Sequence, residues 1–293
     1  MNVNRILHVQ DGNTVKSLQH FLATWWKQVE LDAMLAPVET SDHGVAAPQV
    51  ITHPADLARV NPFTPVMLSN TAPLIQNFVE DHPHSQLAVI LRPCELRAMV
   101  ELRKRHRVNY EAVSAGRGRE RLVVIGVDCP GTFSPDTYAR HVSSHQEDTE
   151  IIHVGVSYGK QANYLPYEVR QTCQMCDSPG PLGADVTIGT IGIEPEGELL
   201  IIAPSENVDA SLMLQAVTDG TPTERQVVHR EMMVGKLVDK RTEKRSALMK
   251  NQTWQTEDAV SVLAMFARCT LCADCLDACP LYDGELAGML GVD

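Results

Sequence analysis

The sequence predicts an α/β fold with a mainly parallel sheet core, followed by a C-terminal helical module built around closely spaced cysteines. Two continuous apolar runs, residues 86–92 and 122–127, have the length of strands that are buried on both faces. A helical pattern follows the first run, and alternation of strands with helices is typical of parallel sheets. The cysteine-rich stretch at 269–279 defines the C-terminal module.

Length and composition set the outer limits of the interpretation. The 293 residues correspond to about two domains at ~150 residues each. The hydrophobic content of 44% and the charged content of 21% are ordinary for a globular protein with a real core. A net charge of −12 repels phosphate backbones, and only 5% of the residues are aromatic. We therefore expect neither nucleic acid nor an anionic membrane surface as a partner.

The eight cysteines are the main chemical signal of the chain. No apolar run approaches the ~18 residues that a membrane span requires, and the N-terminus lacks the pattern of a secretory signal. These features predict a cytoplasmic protein without a membrane span. Because structural disulfides are rare in that reducing compartment, the cysteines indicate metal binding or catalysis.

Residues 1–85 are predicted to form an N-terminal α/β segment. Asn13 and Thr14 have the residue types that cap a helix, and apolar side chains at helical spacing extend that helix to about Glu30. A second, short helix is predicted at 71–79.

Residues 86–220 are predicted to form the core that holds the dispersed cysteines. Its first strand leads into Cys94 and a helix at 95–105, and its second strand, 122–127, leads directly into Asp128 and Cys129. Further strand-like pieces lie at 150–156 and 185–203.

Residues 221–293 are predicted to form a helical extension. A capping pattern at 221–224 predicts the start of a charged helix that ends at about Lys250. A polar break separates it from a last helix at 258–268, after which the terminal cysteine run begins.

The terminal run has the spacing C-x2-C-x2-C-x3-C-P of bacterial ferredoxins, which predicts a 4Fe–4S cluster. Its members are Cys269, Cys272, Cys275 and Cys279, followed by Pro280. A tight loop with a cysteine at every third position directs three thiolates at the corners of one cubane. A zinc site would instead use two well-separated pairs. The spacing leaves open whether Cys279 binds this cluster or a different one, since the fourth cysteine serves the other cluster in two-cluster ferredoxins.

The other four cysteines are dispersed: Cys94, Cys129, Cys173 and Cys176. Two of them follow predicted buried strands, at the edge where open α/β sheets place ligands. Four thiols are enough for a second cubane. Composition alone also allows a zinc site, a redox pair at the C-x2-C motif, or a small buried hydrophobic role for Cys94 or Cys129.

Three motifs resemble those of the beta subunits of coenzyme F420-reducing hydrogenases and formate dehydrogenases. The segment 91–98 (LRPCELRA) is similar to the family's (K/R)-P-C-E-x-R-A motif. The segment 126–131 (GVDCPG) takes the place of the family's next cysteine. The pair at 173–176, followed by ADVTIGTIG at 184–192, is similar to the family's C-x2-C and A-D-(I/V)-x-x-G-x-x-G block. The resemblance covers residues 86–205, and the first 85 residues show no clear match.

The resemblance implies that Cys94, Cys129, Cys173 and Cys176 share one 4Fe–4S cluster. It also implies FAD beside that cluster, where the flavin exchanges a hydride with coenzyme F420 and passes single electrons to iron–sulfur centres. Arg92 and the backbone of Gly189, Thr190 and Gly192 would then lie near the flavin, since glycine permits close approach of a ligand. The two glycines also fit a simple strand-to-turn transition. No G-x-G-x-x-G motif of an ordinary dinucleotide-binding domain is present.

Together, these features predict an electron-transfer subunit of a cytoplasmic multi-subunit oxidoreductase. It would relay electrons through two 4Fe–4S clusters, by way of FAD to coenzyme F420 or another carrier. The expected partners are redox subunits of the hydrogenase, formate dehydrogenase or heterodisulfide-reductase type, and no catalytic acid, base or nucleophile is predicted. The alternatives are a flavin-free two-cluster relay and a zinc-stabilised scaffold.

Overall fold

The computed structural model describes residues 2–40, 44–109, 121–143 and 169–251, with short stretches between 260 and 282. Its strands are β1 (Val3–His8), β2 (Ala33–Glu39), β3 (Val45–Ile51), β4 (Val66–Met67), β5 (Gln86–Leu91), β6 (Arg121–Val127), β7 (Val186–Gly189) and β8 (Glu198–Ala203). All eight belong to one sheet, in the order β1-β8-β7-β6-β5-β2-β3-β4.

The sheet is mixed, with a parallel centre. The neighbouring strands β7, β6, β5 and β2 run parallel, and β4 runs parallel to β3. The pairs β1–β8, β7–β8 and β2–β3 are antiparallel. The predicted parallel core is therefore present, but the antiparallel pairs towards both edges were not predicted.

Four of the eight α-helices in the described residues were predicted from the sequence, and the other four were not. The eight helices are α1 (Thr14–Gln28), α2 (Ile75–Glu80), α3 (Pro93–Lys104), α4 (Pro135–Ser143), α5 (Gln171–Gln174), α6 (Glu206–Ser211), α7 (Glu224–Asn251) and α8 (Asp274–Asp277). The predicted cap of α1 is confirmed, because Asn13 Oδ1 accepts a hydrogen bond from the Lys16 N–H at 2.9 Å. No helix in the described part of the chain combines the length and apolarity of a membrane span.

Strand β5, in the centre of the sheet, is buried on both faces. Every residue of β5 is buried. Ala88 and Ile90 belong to the core cluster that contains the apolar face of α1, including Leu18 and Phe21. The alternate residues Leu87, Val89 and Leu91 belong to the opposite core cluster, which contains buried side chains of α2 and α3. Helices therefore cover both sides, and the loops after β5 and β6 are left to form a site.

The predicted division at residues 85 and 220 stays a prediction. The first boundary lies between α2 and β5, and strands from both sides of it share the sheet. The predicted strand at 150–156 and most of the predicted helix at 258–268 lie outside the described residues, as do parts of the terminal ferredoxin-type module.

Candidate metal centre

One cavity of about 560 Å³ lies beside the loops that follow β5 and β6, and its volume is within the range of cofactor sites. The cysteines in its wall are Cys94, Cys129, Cys173, Cys176 and Cys279. The four dispersed cysteines, up to 82 positions apart in the chain, thus meet at one place together with the last cysteine of the terminal run. Cys269 and Cys275 are exposed, and Cys272 lies outside the described residues.

Cys94 lies in the first turn of α3, and a buried carboxylate fixes that turn. Glu95 Oε2 accepts a hydrogen bond from the backbone N–H of Arg92 at 2.8 Å. Its Oε1 accepts hydrogen bonds from the backbone N–H and the hydroxyl of Thr71. Pro93 begins the helix, a position that needs no N–H donor. Because all three donors converge on Glu95, the carboxylate is satisfied although only 4% of the residue is exposed.

Cys129 follows a second buried carboxylate, Asp128, whose side chain is fully buried. Asp128 Oδ2 accepts hydrogen bonds from the backbone N–H groups of Thr190 (2.8 Å) and Ile191 (2.9 Å). Both Asp128 oxygens also accept from the guanidinium of Arg230 on α7. This network fixes the end of β6, and with it the start of the Cys129 loop.

The C-x2-C pair is attached to the same loop through α5. Arg170, which caps α5, donates its backbone N–H to the carbonyl oxygen of Thr132 at 2.9 Å. The hydroxyl of Thr132 lies 3.5 Å from Cys173 Sγ. The Cys176 N–H donates to the carbonyl oxygen of Cys173 at 3.3 Å, so both cysteines belong to one tight turn.

Helix α7 contacts the loops that carry Cys129 and Cys176. Arg241 donates from Nη2 to the carbonyl oxygen of Pro130 at 2.7 Å, next to Cys129. Arg245 binds the carboxylate of Asp177, the residue after Cys176. The hydrogen bond from Arg245 lowers the pKa of Asp177 below its usual value. One helix therefore holds the loops of two separate cysteine motifs.

The wall of the cavity is cationic. Arg92, Arg170 and Arg241 line it, and its described lining contains no Asp or Glu. Although part of Cys94 is exposed at the cavity, desolvation by the surrounding protein raises the pKa of its thiol to about 12, and the neighbouring thiol of Cys129 adds to the rise. Desolvation likewise raises the pKa of Cys129 to about 11. Both thiols are therefore protonated at neutral pH, and binding of a metal group would release their protons.

The residues present fit an iron–sulfur cluster on a further observation. Arg92 is only 5% exposed, and its Nη1 has no hydrogen-bond partner. A buried guanidinium donor without an acceptor is costly, and Arg92 is one of the residues that line the cavity. Converging thiols together with this free donor suit an anionic group ligated by thiolates.

Two of the three residues predicted to approach a flavin through their backbone, Gly189 and Gly192, lie against α7. A Cβ added to Gly189 would be 2.9 Å from Arg230 Cζ. Gly192 has φ +76°, and an added Cβ would be 2.7 Å from Arg230 Cα. Thr190 is buried beside Asp128, and none of the three is among the residues that line the cavity. Their predicted contact with a flavin stays a prediction, whereas Arg92 does line the cavity.

Sequence reasoning missed the supporting roles of Glu95, Arg230 and Arg241. Glu95 could have been found, since it stands three residues after the N-cap of α3, the position that a capping-box carboxylate takes. Arg230 and Arg241 are more than 100 positions away from their partners Asp128 and Pro130, and no local sequence pattern predicts such a pairing.

The comparisons with known proteins agree with this architecture. Residues 84–229, about half of the chain, match the family model that describes the C terminus of the coenzyme F420 hydrogenase/dehydrogenase beta subunit. The match spans all four dispersed cysteines and the start of α7. The chain belongs to the family of coenzyme F420 hydrogenase/dehydrogenase beta subunits, as its motifs predicted.

Two curated relatives and one solved structure extend the comparison. The chain is 23% identical over 274 residues to F420-dependent formate dehydrogenase 1 subunit beta of Methanococcus maripaludis, covering 86% of this chain and 67% of the relative. It is 24% identical over 278 residues to the F420-dependent formate dehydrogenase subunit beta of Methanocaldococcus jannaschii, covering 86% and 68%. A chain of the F420-reducing [NiFe] hydrogenase complex from Methanosarcina barkeri superimposes with a TM-score of 0.62 at 12% identity, covering 88% of this chain and 94% of that one. The last comparison supports the fold alone.

Proposed function

We propose that the chain is an electron-transfer subunit of a multi-subunit oxidoreductase of the hydrogenase or formate dehydrogenase type, and that it relays electrons through two 4Fe–4S clusters. The observation that carries the proposal is the meeting of Cys94, Cys129, Cys173 and Cys176 in one cavity with a cationic wall. Membership of the family supports the same role.

The geometry favours a cubane over a single zinc ion at the dispersed cysteines. Thiolates around one zinc ion lie about 2.3 Å from the metal, which brings the sulfur atoms close together. Among the described residues, no three His, Cys, Asp or Glu side chains are arranged to hold one metal ion. A cubane instead holds its four thiolates apart around its own body, and the cavity of about 560 Å³ has room for such a group. Arginines in the wall offset the negative charge of a cluster with four thiolate ligands.

The position of Cys279 supports a relay between two clusters. Cys279 and Pro280 line the same cavity as the dispersed cysteines, and Leu281 packs against the core cluster that includes Leu96 and Ala98 of α3. A cluster on the terminal run would therefore be a direct neighbour of the first cluster. The chain itself would supply burial, charge and hydrogen bonds to sulfur, which are the means by which a protein sets cluster potentials.

Coenzyme F420 enters the proposal through the family and through the names of the relatives, and FAD enters it through the resemblance of the sequence motifs to that family. In this version, FAD bound beside the first cluster exchanges electrons with F420. The second candidate is a flavin-free relay with no substrate site of its own. The packing of Gly189 and Gly192 against Arg230 favours it, because α7 covers the backbone that was predicted to approach the flavin.

Metal and flavin analysis of anaerobically purified protein tests the proposal. We expect about eight iron and about eight sulfide per chain, as two cubanes require. The double variant Cys173→Ala/Cys176→Ala should lose about half of the iron, and Cys269→Ala/Cys275→Ala should lose the other half. Release of FAD on denaturation distinguishes the flavin-dependent version from the flavin-free relay. Bound zinc with no iron would overturn both versions.

A further inference from the structure

We propose that Arg92 donates a hydrogen bond from Nη1 to a sulfur atom of a cluster held by the four dispersed cysteines, and so raises the reduction potential of that cluster. This role rests on the proposed cluster and adds to it a residue of the chain that tunes electron transfer. It is a positioning and tuning role, since Arg92 contributes no ligand.

The guanidinium of Arg92 is fixed on one side by backbone acceptors. Nε and Nη2 donate to the carbonyl oxygen of Pro62 at 3.2 and 3.0 Å. Nη2 also donates to the carbonyl oxygen and the hydroxyl of Thr64, at 2.6 and 3.1 Å. These bonds define the plane of the group, because a guanidinium presents its donors in a rigid planar fork. The orientation of Nη1 is therefore set before any ligand binds.

Nη1 is the donor that this arrangement leaves over. Among the described residues, it is the one buried side-chain nitrogen or oxygen atom without a hydrogen-bond partner. Arg92 is also one of the residues that line the cysteine cavity, and it stands two positions before Cys94. A charged, desolvated donor beside a thiol-lined cavity requires an acceptor, and because Nη1 has almost no accessible surface, a ligating thiolate at the edge of the cavity would supply it.

The other two cationic side chains of the wall provide internal comparisons. Arg241 Nη2 donates to the carbonyl oxygen of Pro130 at 2.7 Å, and Arg170 Nη2 donates to the carbonyl oxygen of Met67 at 2.9 Å. Neither side chain has a buried nitrogen atom without a partner in the described structure. All three place positive charge near the cluster, but Arg92 alone among them has a buried free donor.

A hydrogen bond to sulfur has a defined effect on the reduction potential of a cluster. Reduction adds one negative charge to the cluster, and a donor at sulfur stabilises the more negative state. Loss of the Arg92 donor should therefore move the midpoint potential of this cluster to a more negative value. Arg92→Lys keeps the positive charge but lacks the planar fork, so it separates the effect of the hydrogen bond from the effect of the charge.

The decisive measurement is pulsed electron paramagnetic resonance of reduced protein in which arginine is labelled with ¹⁵N in the guanidinium. Wild-type protein should show a ¹⁵N coupling to the cluster of the dispersed cysteines. The coupling should be lost in Arg92→Lys and retained in the matched variant Arg170→Lys. Redox titration of Arg92→Gln and Arg170→Gln follows the potentials, with the larger negative shift expected for Arg92→Gln. If Arg92→Gln does not fold, the ¹⁵N coupling in wild-type protein and its loss in Arg92→Lys still test whether Arg92 donates to the cluster.

The possible failures are distinguishable by iron analysis of the same samples. Absence of ¹⁵N coupling in a wild-type protein that contains both clusters would overturn the role of Arg92 and leave the proposed function intact. Equal shifts in potential for Arg92→Gln and Arg170→Gln would show an effect of charge alone and would also overturn it. Iron content that does not change in Cys173→Ala/Cys176→Ala would overturn the dispersed-cysteine cluster, and with it the proposed function.

Discussion

Arg230 binds Asp128 through two guanidinium nitrogens, and this buried ion pair joins α7 to the residue that precedes Cys129. The side chain of Asp128 is fully buried, and that of Arg230 is 10% exposed. Burial lowers the pKa of Arg230, but the charge and the hydrogen bonds of Asp128 outweigh this effect and raise it overall. Arg230 therefore stays charged, and its contact with Asp128 makes α7 a structural part of the site.

Breaking this pair should destabilise the protein strongly. In Asp128→Asn, the guanidinium of Arg230 loses its counter-charge in a buried position, which typically costs about 3–5 kcal/mol. Chemical denaturation of wild type and variant measures the free energy of unfolding. The control is Lys104→Ala on α3, which removes an exposed ion pair with Glu101 and should change stability little. A loss in Asp128→Asn as small as that of the control would contradict the assignment.

Substitution by alanine should change the free energy of unfolding in opposite directions at two glycines, one that packs against α7 and one within α7. Gly192 has a left-handed φ of +76°, and an added Cβ would meet the backbone of Arg230 at 2.7 Å, so Gly192→Ala should destabilise by about 1–3 kcal/mol. Gly235 is exposed within α7, and an added Cβ there would meet nothing within 4 Å. Because glycine weakens a helix interior, Gly235→Ala should stabilise by about 0.5–1 kcal/mol. Thermal and chemical unfolding measure both changes, and two changes of the same sign would refute the packing described.

Glu95 should support the retention of iron by Cys94 and the other dispersed cysteines, although it is not itself a ligand. In Glu95→Gln, an amide NH₂ group replaces one of the two oxygens that accept from Arg92 and Thr71, which leaves a buried N–H group without its acceptor. We expect a loss of stability of about 1–3 kcal/mol and weaker retention of iron at the dispersed cysteines. Glu101→Gln, an exposed change on the same helix, is the matched control. Equal iron retention in both variants would show that the turn at Cys94 does not depend on the carboxylate.

The thiol of Cys94 should react slowly in metal-free protein. Desolvation raises its pKa from 9.0 to about 12, so at pH 9 its thiolate fraction should be about 10²–10³ times lower in the folded protein than in the unfolded one. Because the thiolate is the nucleophile, alkylation by iodoacetamide at Cys94 should slow accordingly, and its rate should rise about tenfold per pH unit between pH 8 and 11. Mass spectrometry of the Cys94 peptide follows the rate. A plateau near pH 9 in the folded protein would contradict the desolvated environment described for this thiol.

Local patterns in the sequence identified much of the fold. The apolar runs of β5 and β6 and the Asn13 cap of α1 are each short-range signals, and the structure confirms all three. The strands β1, β2 and β3 were missed. They lie in the first 51 residues, where Pro37 and Pro48 interrupt β2 and β3 and suggested turns instead of strands, and β1 and β3 are only partly buried.

The sequence alone also separated the cysteines into a terminal run and a dispersed set, because ligand spacing is a local property of the chain. Only the tertiary structure brought the dispersed set together with Cys279 in one cavity, and only it showed that Arg92 has a free donor there. It likewise revealed the pairing of Asp128 with Arg230 across 102 positions. The physical reason is that spacing and periodicity describe neighbours along the chain, whereas packing decides which distant loops share a wall and which polar groups are satisfied.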